Sequence, residues 1–278
     1  MYVIKIGGGA AIGTEAFARF AADLAEMHGV GTRTIVVHGG NAEFSRLSAS
    51  LGMPPRMITS ASGRVTRYTD APTMDAMLMA YCGKVNKTLV ATLRAAGVNA
   101  VGLSAIDGGI ATGRRKAVLR GTEDGKTKVL RDDHAGTIEN LDTSLLTTLL
   151  AAGYLPVLTP PALGESGVPI NVDGDKLALE LAVALDAEGI LFFSDTPGLL
   201  ADVQDETSLV REIDAGAPEP ALASASGRMT VKVEAALKAI ERGVGQVVFS
   251  DARAERPIQR ALAGEGTVVR AGVPVAGG

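Results

Sequence analysis

The sequence predicts an α/β protein, an αβα sandwich in which helices cover both faces of a central, mostly parallel β-sheet. Short apolar runs typical of buried strands alternate with amphipathic stretches along the 278-residue chain. Hydrophobic residues form 46% of the sequence and aromatic residues only 4%, a composition that suits helices packed on buried strands. Helices placed between buried strands are the connections that a parallel sheet requires.

The length and uniformity of the chain predict two lobes that share one continuous sheet. A chain of 278 residues is long enough for one large domain or for two lobes. The sequence contains no repeat and no low-complexity linker that would separate independent domains. We therefore expect a single domain with lobes of approximately 1–165 and 166–278.

The first half of the chain is predicted to alternate strands and helices up to a basic hairpin. The predicted strands are 2–6, 34–40 and 99–105, and the predicted helices are 14–28, 42–51 and 71–96. Asp70 is suited to cap the third helix, with Pro72 in its first turn and Gly97 beyond its end. Segment 113–131 is predicted to form two short strands around the turn-rich tip GTEDGKT.

The second half is predicted to repeat this alternation. The predicted strands are 154–160, 189–195, 246–250 and 267–270, and the predicted helices are 141–152, 175–185, 230–243 and 257–263. A region rich in Pro, Gly and Asp follows strand 189–195 and extends to about residue 226.

Composition and charge exclude several classes of protein. The single cysteine, Cys82, cannot form an intramolecular disulfide, and three scattered histidines do not make the cluster that a zinc site needs. No apolar run approaches the roughly 18 residues that span a bilayer, and a strand starting at residue 2 leaves no room for a signal peptide. A net charge of -4 argues against general nucleic-acid affinity. We therefore expect a cytoplasmic protein that binds neither nucleic acid nor membrane.

Two glycine-rich turns follow predicted strands and favour phosphate binding. In KIGGG, Gly7, Gly8 and Gly9 follow the first strand, where backbone N–H groups can approach a phosphate without side-chain hindrance. Taken alone, this segment also fits a plain tight turn. In HGG, Gly39 and Gly40 follow the second strand, and ligands bind at the carboxyl ends of parallel strands. The two turns could therefore flank one transferring phosphoryl group.

Two other nucleotide-binding motifs do not fit the spacing of the glycines. A dinucleotide fingerprint needs a third glycine where Ile12 stands, and an acidic residue where the second strand instead ends in His38. GTEDGKT has the ending of a P-loop, but Arg120 occupies the place of its first glycine and no buried strand precedes the segment. Neither hydride transfer nor P-loop chemistry is expected.

Charged residues at two predicted helix starts are candidates for phosphoryl chemistry. In NVDGD, either Asp173 or Asp175 can cap the following helix. One of the two carboxylates can also orient a lysine, while the amide of Asn171 binds a substrate oxygen. Lys232 begins another helix, where its charge opposes the helix dipole unless a nearby anion compensates. Both interpretations of the aspartates stay open at this point.

In order and spacing these segments resemble the amino acid kinase family, in particular its acetylglutamate kinase branch. The resemblance covers nearly the whole chain through KIGGG, VVHGG, RYTDAPTM, GKVNKTLV, INVDGD, LFFSDTPGLL, GRMTVKVEAAL and GEGTVV. It implies the amino acid kinase fold, with a substrate-binding lobe and a helix for homodimer formation before about residue 165 and an ATP-binding lobe after it. It also implies phosphoryl transfer from ATP, with Mg2+ but no metal held by protein side chains, to a carboxylate, which gives an acyl phosphate.

The resemblance also assigns roles to individual residues. Lys5 and Lys232 would stabilise charge on the transferring phosphoryl group, and Asp175 would hold both lysines in place. The residues implied in phosphate and ATP binding are Gly7, Gly8, Gly9, Ser194 and Asp195. Those implied in substrate binding are Gly39, Gly40, Asn41, Arg67 and Asn171. Arg64 competes with Arg67 as the clamp on the substrate's α-carboxylate, and this choice stays open.

Several segments are more similar to the lysine-biosynthesis relatives within this branch. Asn41 stands where acetylglutamate kinases usually have a third glycine, and RYTD, YCGKVNK, GRRK and LTPPA look like the lysine-biosynthesis enzymes. Those enzymes phosphorylate 2-aminoadipate linked through its amino group to an acidic carrier protein of the LysW type. The alternatives are a kinase of free N-acetylglutamate, a kinase that also accepts carrier-linked glutamate, and a non-catalytic regulator that binds nucleotide or amino acid.

A basic segment gives such a carrier a place to bind. Residues 113–131 hold seven basic residues and two acidic ones, although the chain as a whole is acidic. With the resemblance in view, Arg114, Arg115 and Lys116 are predicted to bind the carrier, because a basic protrusion steers an acidic partner and orients it. The alternative is a solvated hairpin without a partner.

Overall fold

The computed structural model describes residues 1–9, 14–59, 63, 65–123, 125–202, 204–224 and 228–272. The strands in these ranges are β1 (Tyr2–Ile6), β2 (Thr34–His38), β3 (Met57–Thr59), β4 (Val65–Arg67), β5 (Ala100–Ala105), β6 (Ala111–Glu123), β7 (Lys126–Leu141), β8 (Leu155–Gly164), β9 (Pro169–Ile170), β10 (Gly189–Ser194), β11 (Glu212–Asp214), β12 (Gln246–Asp251) and β13 (Thr267–Arg270). The helices are α1 (Thr14–Gly29), α2 (Asn41–Ser50), α3 (Ala71–Leu78), α4 (Asn86–Ala95), α5 (Ser144–Ala151), α6 (Gly174–Ala184), α7 (Glu219–Ser224), α8 (Arg228–Glu241) and α9 (Pro257–Leu262).

All the described strands belong to one continuous mixed sheet, which confirms the predicted α/β class. Its centre runs β12-β10-β1-β2-β8, and every neighbouring pair in this run is parallel. Strands β5 and β6 are also parallel to β8, whereas β13, β7 and β3 add antiparallel pairs toward the edges. The division into lobes near residue 165 stays a prediction.

Alternate residues of the central strands point into two separate cores. On one face, Val3 packs with Val37 of β2 and with side chains of α6 and α8. On the other face, Ile4 packs with Phe20 of α1 and Leu89 of α4. Because side chains alternate along a strand, both faces of β1 must be apolar when helices cover both sides, as the sequence run YVIKI requires.

The structure differs from the predicted elements at the edges of the sheet and in the long helix. Strands β3, β4, β9 and β11 were absent from the prediction, because runs of two or three residues carry too little periodicity. The basic hairpin is much longer than predicted, with arms of 13 and 16 residues. Its second arm continues to Leu141, so the helix predicted from 141 begins at Ser144. The predicted helix 71–96 contains a π-helical segment, Met79–Val85, between α3 and α4.

The predicted start and end signals of the long helix are present. The Asp70 side chain accepts a hydrogen bond of 3.1 Å from the backbone N–H of Thr73, and Pro72 lies in the first turn of α3. Gly97 has a φ of 85°, which an L side chain rarely adopts, and it follows the last turn of α4.

No helix in the described part of the chain is both long enough and apolar enough to cross a membrane.

A buried carboxylate fastens the first helix to the last one. Asp23 of α1 is fully buried, and its carboxylate accepts hydrogen bonds from Arg256 Nε at 2.6 Å and from the backbone N–H of Ile258 at 2.8 Å. Arg256 also contacts the exposed Glu26. Asp23 thereby satisfies the first turn of α9, which would otherwise leave backbone donors without partners.

We expect Asp23→Asn to lower the free energy of unfolding by about 2 kcal/mol, because charge-assisted bonds to Arg256 and Ile258 would be weakened in a buried place. Urea unfolding followed by circular dichroism measures this change. Glu26→Gln is the matched control on the exposed side of the same arginine and should change stability little. Equal losses in the two variants would contradict a special role for the buried carboxylate.

Candidate active site

The candidate site lies where the central parallel strands end. Gly7 follows β1, and its N–H donates to the carbonyl of Phe193 in β10 at 2.9 Å. Gly39 follows β2, and its N–H donates to the carbonyl of Ile6 in β1 at 3.0 Å. Three neighbouring strands therefore continue their ladder by one residue and deliver both glycine turns to the same edge of the sheet.

The two glycine turns touch each other through their backbones. A Cβ atom placed on Gly8 would lie 2.6 Å from the nitrogen of Gly40 and 2.9 Å from that of Asn41. The carbonyl of Gly8 accepts a hydrogen bond of 2.9 Å from the N–H of Ala42, in the first turn of α2. Only glycine permits this approach, so the turns form one cradle beside a helix start, a place that favours anions.

Asp175 stands between the two predicted catalytic lysines. Its Oδ1 lies 2.9 Å from Nζ of Lys5, which is nearly buried on β1, and its Oδ2 lies 3.8 Å from Nζ of Lys232 on α8. Asp173 caps α6 by accepting from the N–H groups of Asp175 and Lys176 at 2.8 and 3.1 Å. The structure thus separates the two aspartates, because Asp173 supplies the cap and Asp175 is left to the lysines.

The electrostatics of this triad keep Asp175 ionised. Burial acts to raise the pKa of its carboxyl, but the charges of Lys5 and Lys232 and the hydrogen bonds from both outweigh burial, and the pKa is lowered. Gly174 gives Lys5 room, since a Cβ on that glycine would lie 3.1 Å from Lys5 Cε. Because α8 begins at Arg228, Lys232 lies in its second turn and not in the first turn as predicted, and its charge is compensated by Asp175.

Arg67 and Asn41 meet at the side of the cradle. Nη2 of Arg67 donates to Oδ1 of Asn41 at 3.1 Å, and the guanidinium lies 4.2 Å from the ring centre of Phe44. Nε of Arg67 is buried and has no hydrogen-bond partner within the described ranges. An unsatisfied guanidinium donor fits the binding of a carboxylate. Arg64, the competing clamp, lies outside the described residues.

Asn171 is held in place by the loop before α3. Its Nδ2 donates to Oγ1 of Thr69 at 3.3 Å, and its backbone N–H donates to the carbonyl of His134 at 2.8 Å. Buried Asp133 accepts from the N–H groups of Thr69 and Ala135 at 3.1 and 3.2 Å. Asn171 therefore reaches the site from a segment braced by β7.

Ser194 and Asp195 lie at the end of β10, beside the first glycine turn. Ser194 Oγ is 3.1 Å from Oγ1 of Thr196. A Cβ placed on Gly9 would lie 3.9 Å from Oδ2 of Asp195, which is ordinary contact. Among the described residues no group of three or more His, Cys, Asp or Glu side chains is arranged to hold a metal ion.

Sequence reasoning missed Tyr81, which contacts three of the residues predicted to bind substrate. Its hydroxyl donates to Oδ1 of Asn41 at 2.6 Å, and a Cβ on Gly40 would lie 2.6 Å from its ring. Burial raises the pKa of the phenol, although the Arg67 charge and hydrogen bonds from Arg67 and Gly40 oppose this. Tyr81 fits the apolar stripe of the helix, so its spacing alone could not separate a site residue from core.

The three predicted carrier-binding residues lie on the basic hairpin and not in the cradle. Arg114 lies 3.3 Å from Glu139 and 3.9 Å from Glu165, and Arg115 pairs with Asp132 and donates to the carbonyl of Asp133. Lys116 is exposed and forms no ion pair with another described residue. Two of the three cations are therefore already matched by acidic groups of their own hairpin and its surroundings.

Comparison with known proteins decides the family. The model of the Amino acid kinase family matches residues 1–251. The chain belongs to the amino acid kinase family. The resemblance found in the motifs is thereby confirmed over most of the sequence.

Curated relatives within this family share up to about half of their residues with the chain. A LysW-aminoadipate kinase of Deinococcus radiodurans is 53% identical, with 97% of this chain and 91% of the relative aligned. One of Thermus thermophilus is 50% identical over 97% of this chain and 100% of the relative. An acetylglutamate kinase of Symbiobacterium thermophilum is 37% identical over 90% and 84% of the two chains.

Solved structures of low sequence identity share the fold. N-acetylglutamate synthase from Neisseria gonorrhoeae superposes with a TM-score of 0.78 at 24% identity over 98% of this chain, which spans 59% of the synthase. Carbamate kinase from Giardia lamblia superposes with a TM-score of 0.68 at 14% identity over 98% of both chains. These similarities support the amino acid kinase fold.

We expect Gly8→Ala to destabilise the protein by about 1–3 kcal/mol, because the new methyl group would meet the backbone of the second turn. Gly9→Ala is the matched control one residue away, where the nearest atom is 3.9 Å from the added Cβ. Thermal unfolding of both variants measures the difference. A Gly8→Ala protein as stable as Gly9→Ala would refute the direct contact between the turns.

Proposed function

We propose that this chain is an ATP-dependent kinase that phosphorylates the side-chain carboxylate of 2-aminoadipate while its amino group is linked to a LysW-type carrier protein. The product is an acyl phosphate. Asp175, held between Lys5 and Lys232 beside the paired glycine turns, is the observation that carries the phosphoryl chemistry. The choice of acceptor is supported by the two relatives named LysW-aminoadipate kinase, at 53% and 50% identity.

The cradle fits the polyphosphate of ATP. A side chain at position 8 would collide with the second turn, so the glycine there leaves the backbone unshielded by a side chain. Lys5 and Lys232 supply positive charge beside it. We assign ATP binding to Gly7, Gly8 and Gly9, together with Ser194 and Asp195 at the end of β10. ATP supplies the phosphoryl group, and Mg2+ is expected to come with the phosphates of the nucleotide.

Phosphoryl transfer needs positioning and charge stabilisation more than a covalent step on the enzyme. Lys5 and Lys232 would face the negative charge that spreads over the phosphoryl oxygens, and ionised Asp175 holds both ammonium groups in place. The acceptor carboxylate is already ionised at neutral pH, so no general base is required. This explains why the site needs no catalytic histidine.

The acceptor is assigned to the second glycine turn, on the side of the cradle away from the proposed ATP-binding residues. Gly40 would present its N–H, which also bonds the Tyr81 hydroxyl, to the reacting carboxylate, while Gly39, whose N–H already donates to Ile6, would brace the turn. The Arg67 guanidinium, whose Nε has no hydrogen-bond partner within the described ranges, is assigned to the substrate's α-carboxylate. Asn41 and Asn171 complete the proposed contacts, both held by side-chain hydrogen bonds.

An N-acetylglutamate kinase is the second candidate, favoured by the relative of that name at 37% identity. The two activities share every proposed catalytic residue and differ in the acceptor. An assay that traps the acyl phosphate as hydroxamate separates them. We expect higher kcat/KM with carrier-linked aminoadipate than with free N-acetylglutamate, and carrier-linked glutamate tests the acceptor length. Preference for the free substrate would overturn the assignment.

The role of the lysines is tested by a matched pair on one helix. We expect Lys232→Ala to reduce kcat by roughly 100- to 1000-fold, because a preorganised cation at the developing charge is lost. Lys5→Ala should behave in the same way. Lys238→Ala removes an exposed lysine from the same helix and should leave kcat unchanged. Unchanged activity in both Lys5→Ala and Lys232→Ala would favour a non-catalytic binding protein instead.

The basic hairpin is proposed to receive the acidic carrier on its outer face. Val118 is paired with Arg131 and Arg120 with Val129 across the two arms, so these four side chains share one exposed face. Neither arginine forms an ion pair within the described ranges, unlike Arg114. The proposed carrier-binding set of Arg114, Arg115 and Lys116 is therefore extended to Arg120 and Arg131.

Charge reversal tests this surface. We expect the double variant Arg120→Glu and Arg131→Glu to lower kcat/KM for carrier-linked aminoadipate roughly tenfold or more at low salt, because steering of the acidic carrier is lost. Turnover of N-acetyl-aminoadipate should stay nearly intact. Reversal of exposed Arg211 and Lys238 gives a control of the same charge change elsewhere. Equal losses with both substrates would mean that the hairpin serves the fold.

Assembly and location are proposed from the same family context. We propose a homodimer formed through the long helix, in which Met79 is 56% exposed on the π-helical segment. We place the enzyme in the cytoplasm, where ATP is available.

A further inference from the structure

A buried histidine in VVHGG contacts a buried asparagine in GKVNK, a motif to which the proposed chemistry assigns no role. His38 ends β2 in VVHGG, and Asn86 begins α4 in GKVNK. Both side chains are essentially inaccessible to solvent, and Nδ2 of Asn86 lies 3.0 Å from Nε2 of His38. On the other edge of the imidazole, Nδ1 lies 2.9 Å from the carbonyl oxygen of Gly39.

The surroundings of Asn86 determine where the imidazole proton resides. Nζ of Lys87 donates to Oδ1 of Asn86 at 3.1 Å, and Nδ2 of Asn86 donates to the carbonyl of Val157 at 2.9 Å. These two partners fix the amide orientation, since a lysine only donates and a carbonyl only accepts. Nε2 of His38 must then accept from Asn86. The proton is on Nδ1, which donates to Gly39.

This bond orients the peptide that joins Gly39 to Gly40. In a trans peptide the C=O and the N–H point in opposite directions. With the Gly39 carbonyl turned toward His38, the N–H of Gly40 points away from the buried ring, to the side where it bonds the Tyr81 hydroxyl beside Asn41. Gly40 N lies in the cradle, 2.6 Å from the place where a Cβ on Gly8 would be.

We propose that His38 and Asn86 are positioning residues that hold the Gly39–Gly40 peptide so that the N–H of Gly40 faces the phosphoryl-accepting carboxylate. This inference rests on the proposed function and adds the device that sets the geometry of the acceptor. The pair acts through the turn and touches neither nucleotide nor substrate. It also gives GKVNK a purpose, because Asn86 reaches from a helix on one face of the sheet to the edge where the ligands bind.

The charge state of the ring agrees with this role. The pKa of His38 is lowered to about 4, mainly by burial. The hydrogen bond to Gly39 raises this pKa, whereas the positive charges of Lys5 on β1 and Lys87 on α4 lower it further. Thr159 of β8, which donates to the His38 carbonyl, is uncharged. Because the folded pKa is below the unfolded value of about 6.5, the unfolded chain binds more protons in this window, and stability falls as pH drops from 6.5 toward 4.

Two substitutions at one position separate the two edges of the imidazole. In His38→Asn the amide N–H can stand where Nδ1–H stood, so the bond to Gly39 is retained. In His38→Gln the amide stands near Nε2, so the contact with Asn86 is retained and the bond to Gly39 is lost. We expect kcat/KM for the acceptor to fall roughly 10- to 100-fold in His38→Gln and Asn86→Ala, with a much smaller loss in His38→Asn. KM for ATP should stay within about twofold.

Two controls separate positioning from general destabilisation. Leu89→Ala removes a buried side chain one turn after Asn86 and should lower Tm while leaving kcat/KM of the folded protein unchanged. Wild type should lose stability between pH 6.5 and 4 more steeply than either His38 variant. A His38→Gln enzyme with wild-type kcat/KM, or equal losses in His38→Asn and His38→Gln, would falsify the proposal.

NMR spectra recorded without substrate test the positioning role independently of the proposed function. The amide signals of Gly39 and Gly40 in 1H–15N spectra should shift in His38→Gln and Asn86→Ala and stay near their wild-type positions in Leu89→Ala. Unmoved glycine signals in His38→Gln would overturn the positioning role whatever the enzyme phosphorylates. If the glycine signals shift in these two variants but the wild-type enzyme phosphorylates neither acceptor, the positioning role is supported and the proposed reaction is wrong.

Discussion

Contact between two backbone turns is the constraint on which the site depends. Gly8 and Gly40 approach so closely that a single added carbon on Gly8 would meet the next turn at 2.6 Å. This approach is possible because β1 and β2 are parallel neighbours in register, so their carboxyl ends arrive side by side. The roles proposed for the two glycine turns in phosphate and acceptor binding depend on the bare backbone at that meeting point.

Asp173 and Asp175 are only two residues apart, but their side chains have different partners beside the cradle. Asp173 satisfies the start of α6, and this leaves Asp175 free to hold one lysine from β1 and another from α8. The lysines come from opposite ends of the sequence, so the triad also ties the two halves of the chain together. Because Asp175 stays ionised beside them, both ammonium groups are held in place by ion pairs.

The long hairpin and the long helix both support residues that are proposed to bind the acceptor, Asn171 and Asn41. β7 places Asp133 under Thr69 and thereby supports Asn171, while the π-helical segment presents Tyr81 to Asn41. A π-helical turn changes which side chains face the neighbouring elements, and such turns are frequent at functional sites. On the exposed face of the hairpin, Arg120 and Arg131 form no ion pair with another residue that the structure describes, a distribution that suits an acidic partner.

The sequence by itself determined the α/β class, the central strands, the caps of the long helix and the family, because periodicity, glycine turns and motif order are local properties of the chain. Predicted helix starts made the NVDGD aspartates and Lys232 candidates, and the resemblance to a family selected Asp175 and added Lys5. Tertiary structure alone decided which aspartate caps and which holds the lysines, the roles open to Tyr81 and His38, and the internal pairing of the first hairpin arginines. Those outcomes depend on contacts between residues far apart in sequence, and no local pattern encodes them.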